Sequence, residues 1–280
     1  MHTVLITGCS TGIGEECALR LNRMGWHVFA GVRRGTDGAA LRARARNKSL
    51  LTPVLLDVTD STSINSAMQF LESAVGDDGL NGLVNNAGIA VAAPLEFVSI
   101  SELRRQLEVN VVGPVAITQA VIPLLRVARG RIVNIGSVSG RIAAPLLGPY
   151  SASKFALDAL SDTLRMELGP WHIHVAYVQA SSILTPIWSK ALMDADRVSQ
   201  QMPANAETLY GPIMAHMRNV AVQSQSNSLP AHTVGRAVAH ALSSPKPKTR
   251  YRVGTTAFVV ELLRILPDRL RTRLIMSQFK

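Results

Sequence analysis

The stretch Arg131–Glu167, RIVNIGSVSGRIAAPLLGPYSASKFALDALSDTLRME, decides how the fold is read. Ile132-Val133-Asn134-Ile135 has the look of a buried strand, and Gly136-Ser137-Val138-Ser139-Gly140 ends it in a polar break. After a loop with Pro145, Gly148 and Pro149, the residues Phe155, Leu157, Leu160, Leu164 and Leu168 recur near the helical period and predict an amphipathic helix. Ser137 falls just past the carboxyl end of the strand, where open α/β sheets place their ligands. Tyr150 and Lys154 stand at i and i+4, so both project from one face in the first turns of the helix. A hydroxyl, a phenol and an ammonium thus converge on one crevice.

Those three groups suit proton transfer to or from a carbonyl oxygen. A free phenol titrates at about 10, too high for a good proton shuttle at neutral pH. A cation beside it favours the phenolate, and Ser137 can hydrogen-bond the oxygen whose proton moves. Tyr and Lys at this spacing also occur on helices where the ring only covers the core. The rest of the chain therefore has to decide.

The chain has 280 residues, 47% of them apolar, with no linker-like stretch, and reads as a single domain over 1–280. Cys9 and Cys17 suggest neither a disulfide framework nor a metal site, and the histidines are scattered. A strand begins at Thr3, which argues against a signal peptide, and no uninterrupted apolar run looks long enough to span a bilayer. The expectation is a cytoplasmic protein. Of the net charge of +10, most lies between Lys246 and Lys280, where nine Lys and Arg stand against Glu261 and Asp268. No basic–aromatic platform accompanies it, which argues against nucleic acid as a partner.

From the start, Thr3-Val4-Leu5-Ile6-Thr7 is a β-branched run followed by Gly8-Cys9-Ser10-Thr11-Gly12-Ile13-Gly14 and a helical pattern through Met24. A strand, a glycine turn and a helix put backbone N–H groups where a pyrophosphate binds. The next strand, His27 to Val32, ends in Arg33-Arg34, with Val32 where an NAD site would carry its ribose-binding acid. This favours NADP(H) over NAD(H), without excluding NAD(H). A third strand, Leu51 to Leu56, leads to Asp57-Val58, suited to an adenine edge and face, while the segment Asp57 to Ser61 also suits capping the helix from Ser61 to Val75. Gly82-Leu83-Val84 then leads into Asn85-Asn86-Ala87-Gly88, whose small residues let backbone lie against a cofactor. Asn110 falls inside a long helix, Ser101 to Val127, and Pro114 four residues on predicts a local distortion that frees the Asn110 carbonyl.

In this order and spacing the motifs resemble the short-chain dehydrogenase/reductase family, over roughly Thr3 to Thr185 and again near Tyr251 to Gly254. The resemblance implies an α/β, Rossmann-like, doubly wound sheet of seven parallel strands in the order 3-2-1-4-5-6-7, flanked by helices and assembled as homodimers or homotetramers. It implies Tyr150 as general acid/base, Ser137 as holder of the substrate oxygen, and Lys154 as a ribose ligand that lowers the Tyr150 pKa. Asn110 would complete a proton relay. Gly8, Ser10, Thr11, Gly12, Ile13 and Gly14 would bind the pyrophosphate end, Arg33 and Arg34 the 2′-phosphate, and Asp57 and Val58 the adenine. Asn86, Ala87, Gly88 and Thr185 would line the remainder of the cofactor, with Tyr150 and Lys154 at its nicotinamide end.

One departure stands out. After the strand beginning at His174 the family has Pro-Gly, and this chain has Ala180-Ser181, where a missing positive-φ glycine should cost strain. Residues 186–229 show no clear period and carry several Met with Trp188 and Tyr210, which suits a substrate lid for bulky apolar ligands. Residues 255–280 form a basic amphipathic extension. It suits packing over the pocket or a subunit interface, or peripheral contact with an anionic membrane. It resembles the extension of family members acting on steroids, retinoids and other lipophilic substrates. The reading is an NADP(H)-dependent oxidoreductase for a secondary alcohol and its ketone. The rival is a non-catalytic, NADP(H)-sensing binding protein.

Overall fold

Short apolar runs become the strands of one parallel sheet whose inner members are buried on both faces, while the two edge strands are only partly covered. The computed structural model describes residues 1–200, 202–226 and 228–277; residues 278–280 of the basic extension, and 201 and 227 of the expected lid, lie outside the described residues. The first half alternates β1 (Thr3–Ile6), α1 (Gly12–Arg23), β2 (His27–Val32), α2 (Gly35–Ala43), β3 (Leu51–Leu55), α3 (Ser61–Val75) and β4 (Gly82–Asn85). Then come α4 (Ile100–Leu107), a π-helical turn (Glu108–Val112), α5 (Gly113–Ala128), β5 (Arg131–Ser137), α6 (Gly148–Leu168) and β6 (His174–Ala180). The chain closes with β7 (Ile183–Leu184), α7 (Ile187–Ser199), α8 (Asn205–Ser226), β8 (Leu229–Pro230), α9 (His232–Ser243), β9 (Arg250–Val253), α10 (Thr255–Ile265) and α11 (Asp268–Ser277).

The main sheet runs β3-β2-β1-β4-β5-β6-β9, every neighbour parallel, which is the expected 3-2-1-4-5-6-7 order. The order reverses between β1 and β4, so the carboxyl ends of the strands open a crevice there. Alternate strand residues feed two cores. Val4 and Ile6 pack with Cys17, Leu21, Leu41, Val234 and Val238, under α1, α2 and α9. Leu5 packs with Met68, Leu71, Ile117, Val121 and Leu125, under α3 and α5.

Ile100–Ala128 is a helical stretch long and apolar enough, by length and composition, to cross a membrane, with mean hydropathy 1.7, although Gln106, Asn110 and Gln119 interrupt it. Its residues Ile117, Val121 and Leu125 are fully buried in the core. Two expectations change. The expected lid is largely helical: α7 and α8 escape a periodicity reading because they leave apolar Met193 and Leu209 in solvent. The extension divides at Leu266-Pro267 into two helices.

Candidate active site

β5 and α6 build the floor of the crevice. Ser137 is the last residue of β5, and its hydroxyl accepts the Ser139 N–H at 3.1 Å, turning the chain into a 3-10 turn at Val138–Gly140. Pro149 in the first turn of α6 starts the helix where no N–H is needed. One turn apart on that helix, Tyr150 and Lys154 are both buried. The Ser137 side chain lies close enough to the Tyr150 phenol to favour its ionised form. Lys154 donates from Nζ to the Ile135 carbonyl at 2.9 Å, and Nζ lies 5.8 Å from the centre of the Tyr150 ring.

The electrostatics differ from the expectation. Burial raises the Tyr150 pKa, and the Ser137 side chain opposes this without reversing it. The Lys154 ammonium donates to a strand carbonyl, and burial lowers its own pKa to about 8. The protein on its own thus keeps a neutral phenol beside an easily deprotonated amine.

Asn110 sits in the π-helical turn, the distortion that Pro114 implied. Its Oδ1 accepts the Ile89 N–H at 2.9 Å, while Nδ2 donates to the Ile89 carbonyl at 3.0 Å and to Ser153 Oγ at 3.1 Å. Ser153 in turn donates to the Tyr150 carbonyl at 2.7 Å, so the side chain of Asn110 braces the catalytic helix. Gln106, a residue with no motif to mark it, does the same from α4: it accepts the Val91 N–H at 2.7 Å and donates to Ser153 Oγ at 3.3 Å.

The glycine turn lies across the crevice. Gly8 and Gly12 hold φ of +70° and +66°, and a Cβ on Gly14 would come within 2.3 Å of the Gly8 carbonyl oxygen. Thr11 is the N-cap of α1 but makes no side-chain cap bond; Ser10 and Ile13 are half-buried beside it. Asn86 braces the turn, donating to the carbonyls of Thr7 at 2.9 Å and Gly8 at 3.0 Å, and the N–H groups of Asn86 and Ala87 both reach Thr7 Oγ1. Gly88 faces Asn110 Oδ1. Thr185 packs against Gly12, whose added Cβ would meet its Cγ2 at 3.1 Å.

Arg33 and Arg34 are exposed past the end of β2. Arg34 is paired with Asp37 at 3.0 Å, whereas Arg33 makes no ion pair among the described residues. Burial works against the Asp57 carboxylate, but hydrogen bonds from Thr59 and the Arg33 charge outweigh it and hold its pKa low. Within the Asp57–Ser61 segment the cap of α3 is Asp60, which accepts the Thr62 N–H at 2.9 Å. Val58 is buried against Gly113 at the start of α5.

At the departure, Ser181 is not among the residues with positive φ, so the expected strain is absent there. Its N–H donates to the Val253 carbonyl at 3.0 Å, and the left-handed residue is Gly254, at φ +94°. The sequence reading placed Trp188 only within the lid and gave Tyr177 no role. Trp188 of α7 meets Tyr150 edge-on at 6.1 Å and makes an apolar wall for the site. Tyr177 of β6, wholly buried, lies behind Ser137; its size against Gly136 and Gly140 was the signal available. The extension packs only by part of α10: Ala257 and Val260 are buried and Glu261 pairs with Arg141 at 2.9 Å. Phe258, Val259, Leu262 and Ile265 are exposed, and α11 buries no residue.

Known proteins share this organisation. Residues 2–196 match the short chain dehydrogenase family. The NADPH-dependent 3-dehydrocapnine reductase of Ornithobacterium rhinotracheale is 32% identical over 286 residues, spanning 100% of this chain and 98% of that protein. Retinol dehydrogenase 5 of Mus musculus is 36% identical over 263 residues, 91% of this chain and 81% of that protein. A short-chain dehydrogenase structure from Streptomyces avermitilis aligns with a TM-score of 0.76 at 24% identity, over 98% of this chain and 96% of its own, and speaks for the fold. With a family match over most of its length and relatives above 30% identity along nearly all of it, the chain belongs to the short-chain dehydrogenase/reductase family of NAD(P)(H)-binding oxidoreductases.

Proposed function

We propose that the chain interconverts a lipophilic secondary alcohol and its ketone, with NADP(H) as the preferred cofactor and Tyr150 as general acid/base. The observation that carries this reading is the burial together of Ser137, at the carboxyl end of β5, and Tyr150, in the first turn of α6, with Lys154 one turn further along that helix.

The chain's own residues fit the dinucleotide. The first N–H groups of α1 have no side-chain cap, and the positive φ of Gly8 and Gly12 lets the backbone approach a diphosphate closely. Arg33 has charge to offer a 2′-phosphate, since no acid ends β2 and no ion pair among the described residues engages it. Asp57 and Val58 stand for the adenine end, and Thr185, beside Gly12, for the nicotinamide end. When bound, the cofactor supplies or accepts the hydride.

The remaining chemistry belongs to the protein. Ser137 hydrogen-bonds the substrate oxygen, and Tyr150 protonates that oxygen in reduction or deprotonates it in oxidation. Burial raises the Tyr150 pKa in the protein alone, so the phenol enters reduction protonated, and efficient proton transfer near neutral pH requires that pKa to fall in the reacting complex. Lys154, titrating at about 8, can renew that proton, with Asn110 and its neighbouring carbonyl along the route outward. Trp188 and Ile187 give the substrate an apolar wall, which accords with the retinoid substrate in the name of one relative. Peripheral contact with an anionic membrane is part of the same reading, because the exposed face of α10 and α11 mixes Phe258, Leu262 and Ile265 with Arg264, Arg269 and Arg273.

The test is turnover of a panel of aliphatic, aromatic and polycyclic ketones with NADPH and with NADH, for the parent and Tyr150→Phe. The parent should turn over a lipophilic ketone, faster with NADPH, and the variant should lose about 10²-fold or more in kcat. Tight NADPH binding with no turnover in either direction would leave the non-catalytic, cofactor-sensing reading in its place.

A further inference from the structure

Tyr177 is a large aromatic at the centre of β6, directly behind the reactive floor. Its phenolic oxygen accepts the Ser137 N–H at 3.3 Å and donates to the Lys154 carbonyl at 3.3 Å. One oxygen therefore ties the strand end that presents Ser137 to the helix turn that presents Lys154. The ring fits because two glycines flank Ser137. A Cβ on Gly136 would come within 1.9 Å of Tyr177 Cζ, and one on Gly140 within 2.7 Å of its Oη. The guanidinium of Arg250 lies 5.0 Å from the ring centre, and Arg250 is held in turn by Asp158 at 2.6 Å, on the same helix as Lys154.

We propose that Tyr177 is a positioning residue for the reaction: its hydroxyl sets Ser137 against Tyr150 by fixing β5 to α6. This rests on the oxidoreductase reading above. Tyr177 itself does not exchange the proton. Burial, and then the Asp158 carboxylate, raise its pKa far above the ordinary phenol value, so it stays a neutral donor at working pH. Its influence passes through Ser137, whose side chain is the one influence lowering the Tyr150 pKa. If Ser137 drifts, that support weakens and Tyr150 should hold its proton to higher pH.

Tyr177→Phe keeps the ring and removes only the hydroxyl. For the parent's best substrate pair, kcat should fall about tenfold, with the KM for NADPH held within about twofold. The rising limb of alcohol oxidation against pH should move up by about half a unit or more. In a Ser137→Ala background the same change should move neither quantity further. A limb that stays in place in Tyr177→Phe, or an equal loss in both backgrounds, overturns the proposal, since a merely structural role would leave the titration of Tyr150 alone. A direct titration separates this from failure of the enzyme reading. The chain has four tyrosines, so ¹³Cζ-tyrosine NMR resolves each, with Tyr150→Phe assigning the reactive one. A Tyr150 resonance that titrates higher in Tyr177→Phe sustains the proposal even if no substrate is ever turned over, and an unmoved one ends it.

Discussion

Between β5 and α6 the reactive side chains are buried and tied to neighbouring backbone: Ser137 to Ser139, Lys154 to Ile135, and Tyr150's own carbonyl to Ser153. In α7, α8, α10 and α11 the chain does the opposite and leaves Met193, Leu209, Phe258, Leu262 and Ile265 in solvent, the last 80% exposed. On the proposed reading, the groups between β5 and α6 are held by the fold itself, while the apolar surface of these helices is left for a lipophilic molecule or a lipid surface to cover. Preorganisation has value where charge develops in the reaction. An adaptable apolar surface has value where the ligand is large and featureless.

The sharpest way to break the first half of this contrast is Lys154→Met. We expect a loss of about 10²-fold or more in kcat together with a gain in stability at neutral pH. In the folded chain burial lowers the Lys154 pKa from 10.5 to about 8, so between these values the unfolded chain binds more protons. Stability of the parent then rises with pH across that window, and below it the buried ammonium carries its full cost, with a ceiling of about 3 kcal/mol. The melting-temperature advantage of Lys154→Met should be largest at or below pH 8 and shrink towards pH 10.5. An advantage that ignores pH would mean that Lys154 is not a strained, functional burial.

The second half is tested by deleting residues 268–280. Arg269 and Arg273 lie exposed on α11 with Leu270 and Leu274, and each arginine near an anionic surface contributes about 1 kcal/mol. Co-sedimentation with phosphatidylserine vesicles should fall about tenfold on deletion, with little binding to neutral vesicles in either protein. Turnover of a small, water-soluble ketone should stay near the parent's, because α10 keeps its Glu261–Arg141 contact beside the catalytic turn. Equal binding before and after deletion would show that the exposed face serves something else.

The same contrast explains what the sequence disclosed. The strands themselves were legible in runs such as Val4-Leu5-Ile6 and Val175-Ala176, because a strand buried on both faces is apolar throughout, whereas their order came only from the family resemblance. The motif residues could be placed because each sits at a strand end or a helix start, where local chemistry and topology coincide. The direction of the Tyr150 shift could not be read, since it depends on where the Lys154 ammonium turns and on how much water the fold removes. Gln106, Ser153 and Tyr177 were equally hidden. Their contacts span 17, 43 and 40 residues, to Ile89, Asn110 and Ser137, and no local pattern encodes such distances.

Ser181 gives the finest test, where a family habit and this chain's geometry disagree. If Ser181 stood in a backbone conformation meant for glycine, Ser181→Gly would relieve strain and stabilise the protein. The backbone there is not left-handed; that conformation has moved to Gly254, and a Cβ at Gly254 would press within 2.0 Å of Ser181 Oγ. The serine thus fills space beside the glycine that turns the chain out of β9. Ser181→Gly should therefore add only unfolded-state freedom, lowering stability by about 0.5–1 kcal/mol, and should not raise kcat. A denaturant midpoint that rises instead, with faster turnover, would mean the loop after β6 is strained by its serine and that the nicotinamide end of the crevice is held less well than the floor beneath it.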